Sequence, residues 1–241
     1  MQIESKYSNA DLKAAVGAVG GYDYDRPRTK LVALEHLINQ TYGDPVARRQ
    51  IETAMAELLG SQATVAAKQF VCKKLWIMGT DLSVPALSKL LEGADPVLAE
   101  AACYALRTQD SALAAAALRS ALDRIRGVPR VAVINLLGDR HDAASTTPLI
   151  ALAAASDAPA VEAAIAALGK IASREAVTAL TSMLRGPDPA RRIHSAHALL
   201  QAGQQLAKRG STAEAKAIWS QLTGSAEPAS VRRGASLALR G

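Results

Sequence analysis

The sequence is poor in aromatic side chains, which make up 3% of its 241 residues, and it has two cysteines, Cys72 and Cys103. Two thiols are too few for a disulfide scaffold, and neither stands near a second Cys or His at metal-site spacing. No run of 18 apolar residues occurs, so no segment qualifies as a membrane-spanning helix. The opening residues MQIESKYSNADLK lack the apolar stretch of a signal peptide. Strand-forming runs of Val, Thr and Tyr are missing. Missing too are a Gly-rich phosphate loop, a GxSxG elbow and an HExxH pair, the short motifs that announce common catalytic chemistries.

What the chain has instead is alanine, about a fifth of all residues. Alanine is the best helix former, and small residues let helices pack closely and repeatedly rather than around one deep core. Half of the residues are apolar and both signs of charge are mixed, which excludes a disordered chain. The composition therefore predicts an all-α protein. Net charge is +6, and +5 of it falls in residues 188–241, which carry 8 basic and 3 acidic side chains. The rest of the chain is electrically balanced, so the basic patch is confined to the C-terminal end.

Leucines recur through the sequence with a constant period of 31. Leu75, Leu106, Leu137, Leu168 and Leu199 stand in one register, and Leu87, Leu118, Leu149 and Leu180 in a second. Leu91, Leu122 and Leu184 form a third, with Ala153 in the remaining place. Each unit reads as helix, turn, helix. An Asp ahead of a Pro caps the first helix, as at Asp44-Pro45, Asp95-Pro96 and Asp188-Pro189: the carboxylate accepts from free N–H groups, and Pro has no N–H to leave unpaired. Neither helix of about 12 residues buries its apolar stripe alone, so units stack and share a core. The predicted architecture is a right-handed α-solenoid of antiparallel helix pairs, forming one domain over residues 1–241. Within it, residues 1–60 are atypical cap helices, 61–199 the regular repeats and 200–241 a divergent end.

The segments VPALSKLLEGADPVLAEAACYAL, TPLIALAAASDAPAVEAAIAALGKI and AVTALTSMLRGPDPARRIHSAHALL resemble HEAT-type repeats, in particular the short phycobilisome-lyase-like form. The resemblance covers roughly residues 44–241, and it implies a stacked helical fold rather than an activity. The run from VCKKLWIMGTDLSVPALSKLL to ALGKI is similar to HEAT segments of large bacterial multidomain proteins, which are usually exported. That likeness implies a non-catalytic part of a longer chain whose signal has been removed. Taken as it stands, the chain reads as cytoplasmic. AEAKAIWSQL resembles a tetratricopeptide-type helix, and VRRGASLALRG the first helix of a repeat.

In such a solenoid one layer of helices lines a concave face. Residues beside the Leu75–Leu199 register share that face: Lys73, Tyr104, Asn135 and His197 two before the leucines, Trp76, Arg107, Asp139 and Lys170 just after, and His194 close by. Tyr, Trp and Arg anchor interfaces, and Lys73, Tyr104, Arg107, Asn135, Asp139, Lys170, His194 and His197 are the candidate partner-binding ladder. The alternative for each is an ordinary solvated helix face.

His194 and His197 form a possible metal pair but have no third ligand in the sequence. Asp139, Arg140, His141 and Asp142 make a polar knot that a helix C-terminus also explains. Asp23 and Asp25 are accounted for by turn chemistry. Cys72 and Cys103 fall at equivalent core places of neighbouring units, too far apart for an unstrained disulfide, and read as buried thiols. Arg191, Arg192, Arg232 and Arg233 lie in first helical turns, where the macrodipole disfavours cations. They serve either to pack between repeats or to contact phosphate.

The function expected is a non-enzymatic scaffold, monomeric and without cofactor or metal, that binds a protein or a further domain of its own chain and no membrane. The alternative is a nucleic-acid binder using the basic end. HEAT-like DNA glycosylases have about this length, but they need an acidic residue and aromatics on a basic channel, whereas Trp76 and Trp219 lie far apart here. A bilin-lyase activity has only the fold behind it.

Overall fold

The computed structural model describes residues 5–224 and 227–240. Among the described residues there are fourteen α-helices and no strand. The chain begins with α1 (Asn9–Gly17), α2 (Thr29–Gln40) and α3 (Pro45–Leu59). The helix pairs α4 (Val65–Met78) with α5 (Val84–Leu91), and α6 (Pro96–Leu106) with α7 (Ala112–Ala121), follow. Next come α8 (Gly127–Asp139), α9 (Thr146–Ala153), α10 (Ala158–Ile171) and α11 (Arg174–Leu184). The last three are α12 (Pro189–Lys208), α13 (Thr212–Gln221) and α14 (Ala229–Arg240). The first helices of five successive pairs start at Val65, Pro96, Gly127, Ala158 and Pro189, so the starts keep the period of the leucines.

The leucine registers are the core. Leu75, Leu106, Leu137 and Leu168 are fully buried and Leu199 is 1% exposed, while Leu87, Leu118, Leu149 and Leu180 are all at 0%. Burying one Leu removes enough apolar surface from water to contribute about 1.5–3 kcal/mol, and no single helix can bury this row by itself. The chain divides into two compact units, residues 1–129 and 130–241, and the division falls in the first turn of α8.

In the first unit α3 packs against α1 and α5, α5 against α7, and α4 against α6. Counted from start to start, α2 precedes α4 by 36 rather than 31, and a Lys74–Glu35 ion pair of 2.5 Å ties the two together. Asp44 accepts from the Ala47 N–H at 2.9 Å, as an N-cap should. The helix it caps, however, is α3, which lies in the layer of α5 and α7. The expectation that Asp44-Pro45 opens a first helix is therefore corrected: an Asp-Pro cap marks a helix start without saying which layer the helix joins. Asp95 and Asp188 do open first helices, accepting from Val97 and Leu98 and from Ala190 and Arg191 respectively.

Glu52 of α3 is 2% exposed. Its carboxylate accepts from the Thr80 N–H at 2.6 Å, the Thr80 hydroxyl at 2.9 Å and the Ser83 N–H at 3.2 Å. It thus satisfies the free donors ahead of α5 and fixes the α4–α5 turn against α3.

In the second unit α10 packs between α9 and α12, α12 meets α11 and α13, and α14 lies on α12 and α13. Two glycines one period apart stand where neighbouring helix backbones approach closely. A Cβ on Gly138 would stand 2.8 Å from the Ala167 Cα, and one on Gly169 would stand 2.6 Å from the Ala198 carbonyl oxygen. His141 (φ 52) and Ala172 (φ 51), again one period apart, follow the ends of α8 and α10 in the left-handed region. At His141 this is a Schellman ending: Asp142 N–H donates to the Leu137 carbonyl at 3.1 Å and His141 N–H to the Gly138 carbonyl at 2.9 Å. Past Leu199 the sequence slips out of register because α12 continues for 20 residues. The added turns carry Gly203, where any Cβ would collide with the Trp219 indole of α13.

Candidate interaction surface

In the first unit the exposed residues Lys73, Tyr104 and Arg107 lie on α4 and α6 or at the α6 end. The Trp76 and Tyr104 rings stack with centroids 5.3 Å apart and planes 27° apart, one ring from each helix. Both stay open to solvent, Trp76 at 36% and Tyr104 at 43%. The Thr108 hydroxyl donates to the Trp76 carbonyl and so ties the end of α6 to α4.

Beside the stacked pair, between α4 and α6, lies a cleft of about 260 Å³ lined by Gln69, Cys72, Lys73, Val97, Glu100, Ala101 and Tyr104. A second cleft of about 300 Å³ lies between α2 and α4, against Tyr22, Tyr24, Arg28 and Phe70, and it shares Gln69 and Lys73 with the first. The Tyr24 hydroxyl donates to the Gln69 side-chain carbonyl, and the Tyr22 and Tyr24 rings meet edge-to-face at 6.2 Å. Lys74 sits 4.8 Å over the Phe70 ring while paired with Glu35.

Cys72 forms part of the cleft wall, but burial pushes its thiol up to about 12. Burial pushes Cys103 up to about 11, with nearby Arg107 opposing and Glu100 adding to the shift. At neutral pH both are un-ionised, and an un-ionised thiol is neither a nucleophile nor a metal ligand.

The second unit holds the remaining ladder residues. Asp139 and Lys170, one period apart, form a 2.6 Å ion pair. His141 Nδ1 is 2.6 Å from the Lys170 carbonyl, and the Ser145 hydroxyl donates to Asp142. The polar knot is thereby occupied in ending α8 and holding it to α10. Asn135 is half-buried and His197 exposed. His194 Nδ1 is 3.9 Å from Glu162, an ionic contact when the imidazole is protonated. Among the described residues no cluster of three or more His, Cys, Asp or Glu is arranged to hold a metal ion.

Arg191 donates to the Ala155 carbonyl at 2.7 Å and pairs with Asp188 at 3.3 Å, which is the packing role between repeats. Arg209 donates to the Ile171 carbonyl at 2.9 Å. Arg192 and Arg233 are exposed, and Arg232 is half-buried with an interaction of its own. Asp23 accepts from the Tyr24 N–H at 2.8 Å, a turn contact.

The structure adds Tyr24, Gln69 and Glu100 to the surface, which the leucine register did not reach. Tyr24 lies on the irregular N-terminal side, and Gln69 is a full turn before Lys73 on the same face of α4. Gln69 could have been found from that i, i+4 relation.

Residues 126–200 match the family model of HEAT repeats. No curated protein matches the chain. A solved structure described as lipid–protein interactions in lipovitellin superimposes over 100% of this chain, with a TM-score of 0.65 and 11% sequence identity. This chain spans 27% of that one, and the likeness shows the fold alone. No helix among the described residues is long and apolar enough to cross a membrane.

Proposed function

We propose that this chain is a non-enzymatic scaffold that binds a protein, or another domain of its own chain, on the first-helix face around Trp76 and Tyr104. HEAT repeats generally serve as protein-interaction scaffolds. The observation that carries the reading is the solvent-open Trp76–Tyr104 stack beside Lys73 and its cleft. Large rings held rigid before binding lose little entropy in an interface, and their burial against a partner is worth more than that of polar neighbours. In the second unit the Gly138 and Gly169 approaches draw α8, α10 and α12 together. This supports placing the ladder on the inner side of that unit.

The basic end offers less to a nucleic acid than its charge implies. Arg191 and Arg209 are engaged with carbonyls of their own unit.

The test is capture from lysate of the source cells on immobilised protein, with and without nuclease, beside a Tyr104→Ala/Arg107→Ala variant. A protein that survives nuclease and is lost with the variant is the expected result. Recovery of nucleic acid regardless of the variant would move the function to the basic end.

A further inference from the structure

The cleft between α4 and α6 lies between two helices that pack directly on each other. Cys72, Val97 and Ala101 make its walls largely apolar, and the Tyr104 ring lines it while stacked on Trp76. Cys72 keeps its proton, so its thiol adds no charge. At about 260 Å³ the cleft falls below the roughly 300–1,000 Å³ of pockets that enclose a drug-sized molecule. Its size suits one large side chain, carried on a segment that continues outside.

Two charged residues wall it, Lys73 on α4 and Glu100 on α6. Both are exposed. They face the cleft from opposite helices, yet among the described residues neither forms an ion pair, with the other or with any third side chain. Elsewhere neighbouring first helices settle such charges between themselves, as Lys74 does with Glu35 and Asp139 with Lys170. Here a cation and a carboxylate are left on the two sides of an apolar cleft.

Electrostatic complementarity then fixes what the occupant carries. A segment charged with one sign throughout gains at one wall and is repelled at the other. A phosphate backbone meets Glu100 as well as Lys73 and suffers the same conflict. An apolar side chain with an acid to one side and a base to the other satisfies both walls.

We infer that the α4–α6 cleft takes a large apolar side chain of a partner protein, on a segment that places an acidic residue against Lys73 and a basic residue against Glu100. This inference rests on the scaffold reading above and names the chemistry that the partner presents.

The test titrates the isotope-labelled full chain with heptapeptides and follows its amide resonances by NMR. The mixed peptide is Gly-Glu-Gly-Phe-Gly-Lys-Gly. The others carry Glu at both charged places, Lys at both, or Ala in place of Phe. The mixed peptide is expected to move amides of α4 and α6 and to bind about fivefold more tightly than either peptide of one sign. It should bind about tenfold more tightly than its Ala form. Lys73→Glu should shift the preference to the peptide with two Lys, and Glu100→Lys to the peptide with two Glu. The double reversal should restore preference for the mixed peptide. Each shift is a gain of binding that misfolding cannot mimic.

No binding by any peptide, equal binding of the Phe and Ala forms, or a preference that ignores the reversals would overturn the inference. So would tighter binding of a single-stranded oligonucleotide at the same amides, or movement of those amides on dilution of the protein alone. The first would assign the cleft to a nucleic acid and the second to another copy of the chain. If the inference falls while Tyr104→Ala/Arg107→Ala still abolishes partner capture, the partner's chemistry is wrong and the scaffold reading stands. If both fail, both fall.

Discussion

A buried cysteine is a pH sensor whose direction can be worked out. Burial raises the Cys72 and Cys103 thiols to about 12 and about 11. In the unfolded chain they ionise near the ordinary value of 9.0. Below pH 9 both states hold the proton and the thiols leave stability unchanged. Above it the unfolded chain loses protons that the folded chain keeps, so stability falls as pH rises from 9 towards 11. The urea midpoint should drop more between pH 8 and pH 10.5 in the native sequence than in Cys72→Ala/Cys103→Ala. Parallel slopes in the two proteins would contradict the burial account. Asp44 works in the opposite direction. The Ala47 N–H, then the Ser5 hydroxyl, hold its carboxyl below the usual value, so its contribution is present above that value and is lost as pH falls through the depressed one.

Among the helices, glycine placement separates contact from mere occupancy. Gly169→Ala drives a methyl into the α12 backbone and is expected to cost about 1–3 kcal/mol, lowering Tm by about 2–4 °C per kcal/mol. Gly17 is also helical, but nothing lies within 4 Å of its added Cβ. Gly17→Ala should leave Tm unchanged or raise it. A thermal melt in which the two substitutions behave alike would show that the close approach of α10 and α12 is not real. Glu52 acts between helices too. Glu52→Ala strands the buried Ser83 N–H and unpairs the Thr80 donors beside it, a loss of about 1–3 kcal/mol, and Glu52→Gln should recover part of it, as read by urea denaturation.

These features were unequally legible in the sequence. Gly138 and Gly169 obey the leucine period and stand next to register leucines, so their role was readable. Glu52 was not: it faces the core at one place only, and a lone acid in a helix reads as solvated until the turn above it is known. The Asp139–Lys170 pair illustrates the middle case. Their shared face was visible in the spacing, but that they neutralise each other across neighbouring helices needed the fold.

The whole chain shows where periodicity stops informing. The spacing between first helices is 31 from α4 to α12, but 36 from α2 to α4 and 40 from α12 to α14. The regular part was found because leucine repeats; the irregular ends were found only as helices. Tyr24 lies in such an end, which is why the cleft between α2 and α4 was invisible to a repeat search. What no spacing carries is a partner, because the fold fixes where side chains stand and not what meets them.

The most direct measurement is site-specific photo-cross-linking in the source cell, with a benzophenone side chain in place of Tyr104 and, separately, in place of Lys89 on the other helix layer. The account predicts a discrete protein adduct from position 104 and none from position 89. Adducts from position 89 with none from position 104 would contradict it and place the contact surface on the opposite layer.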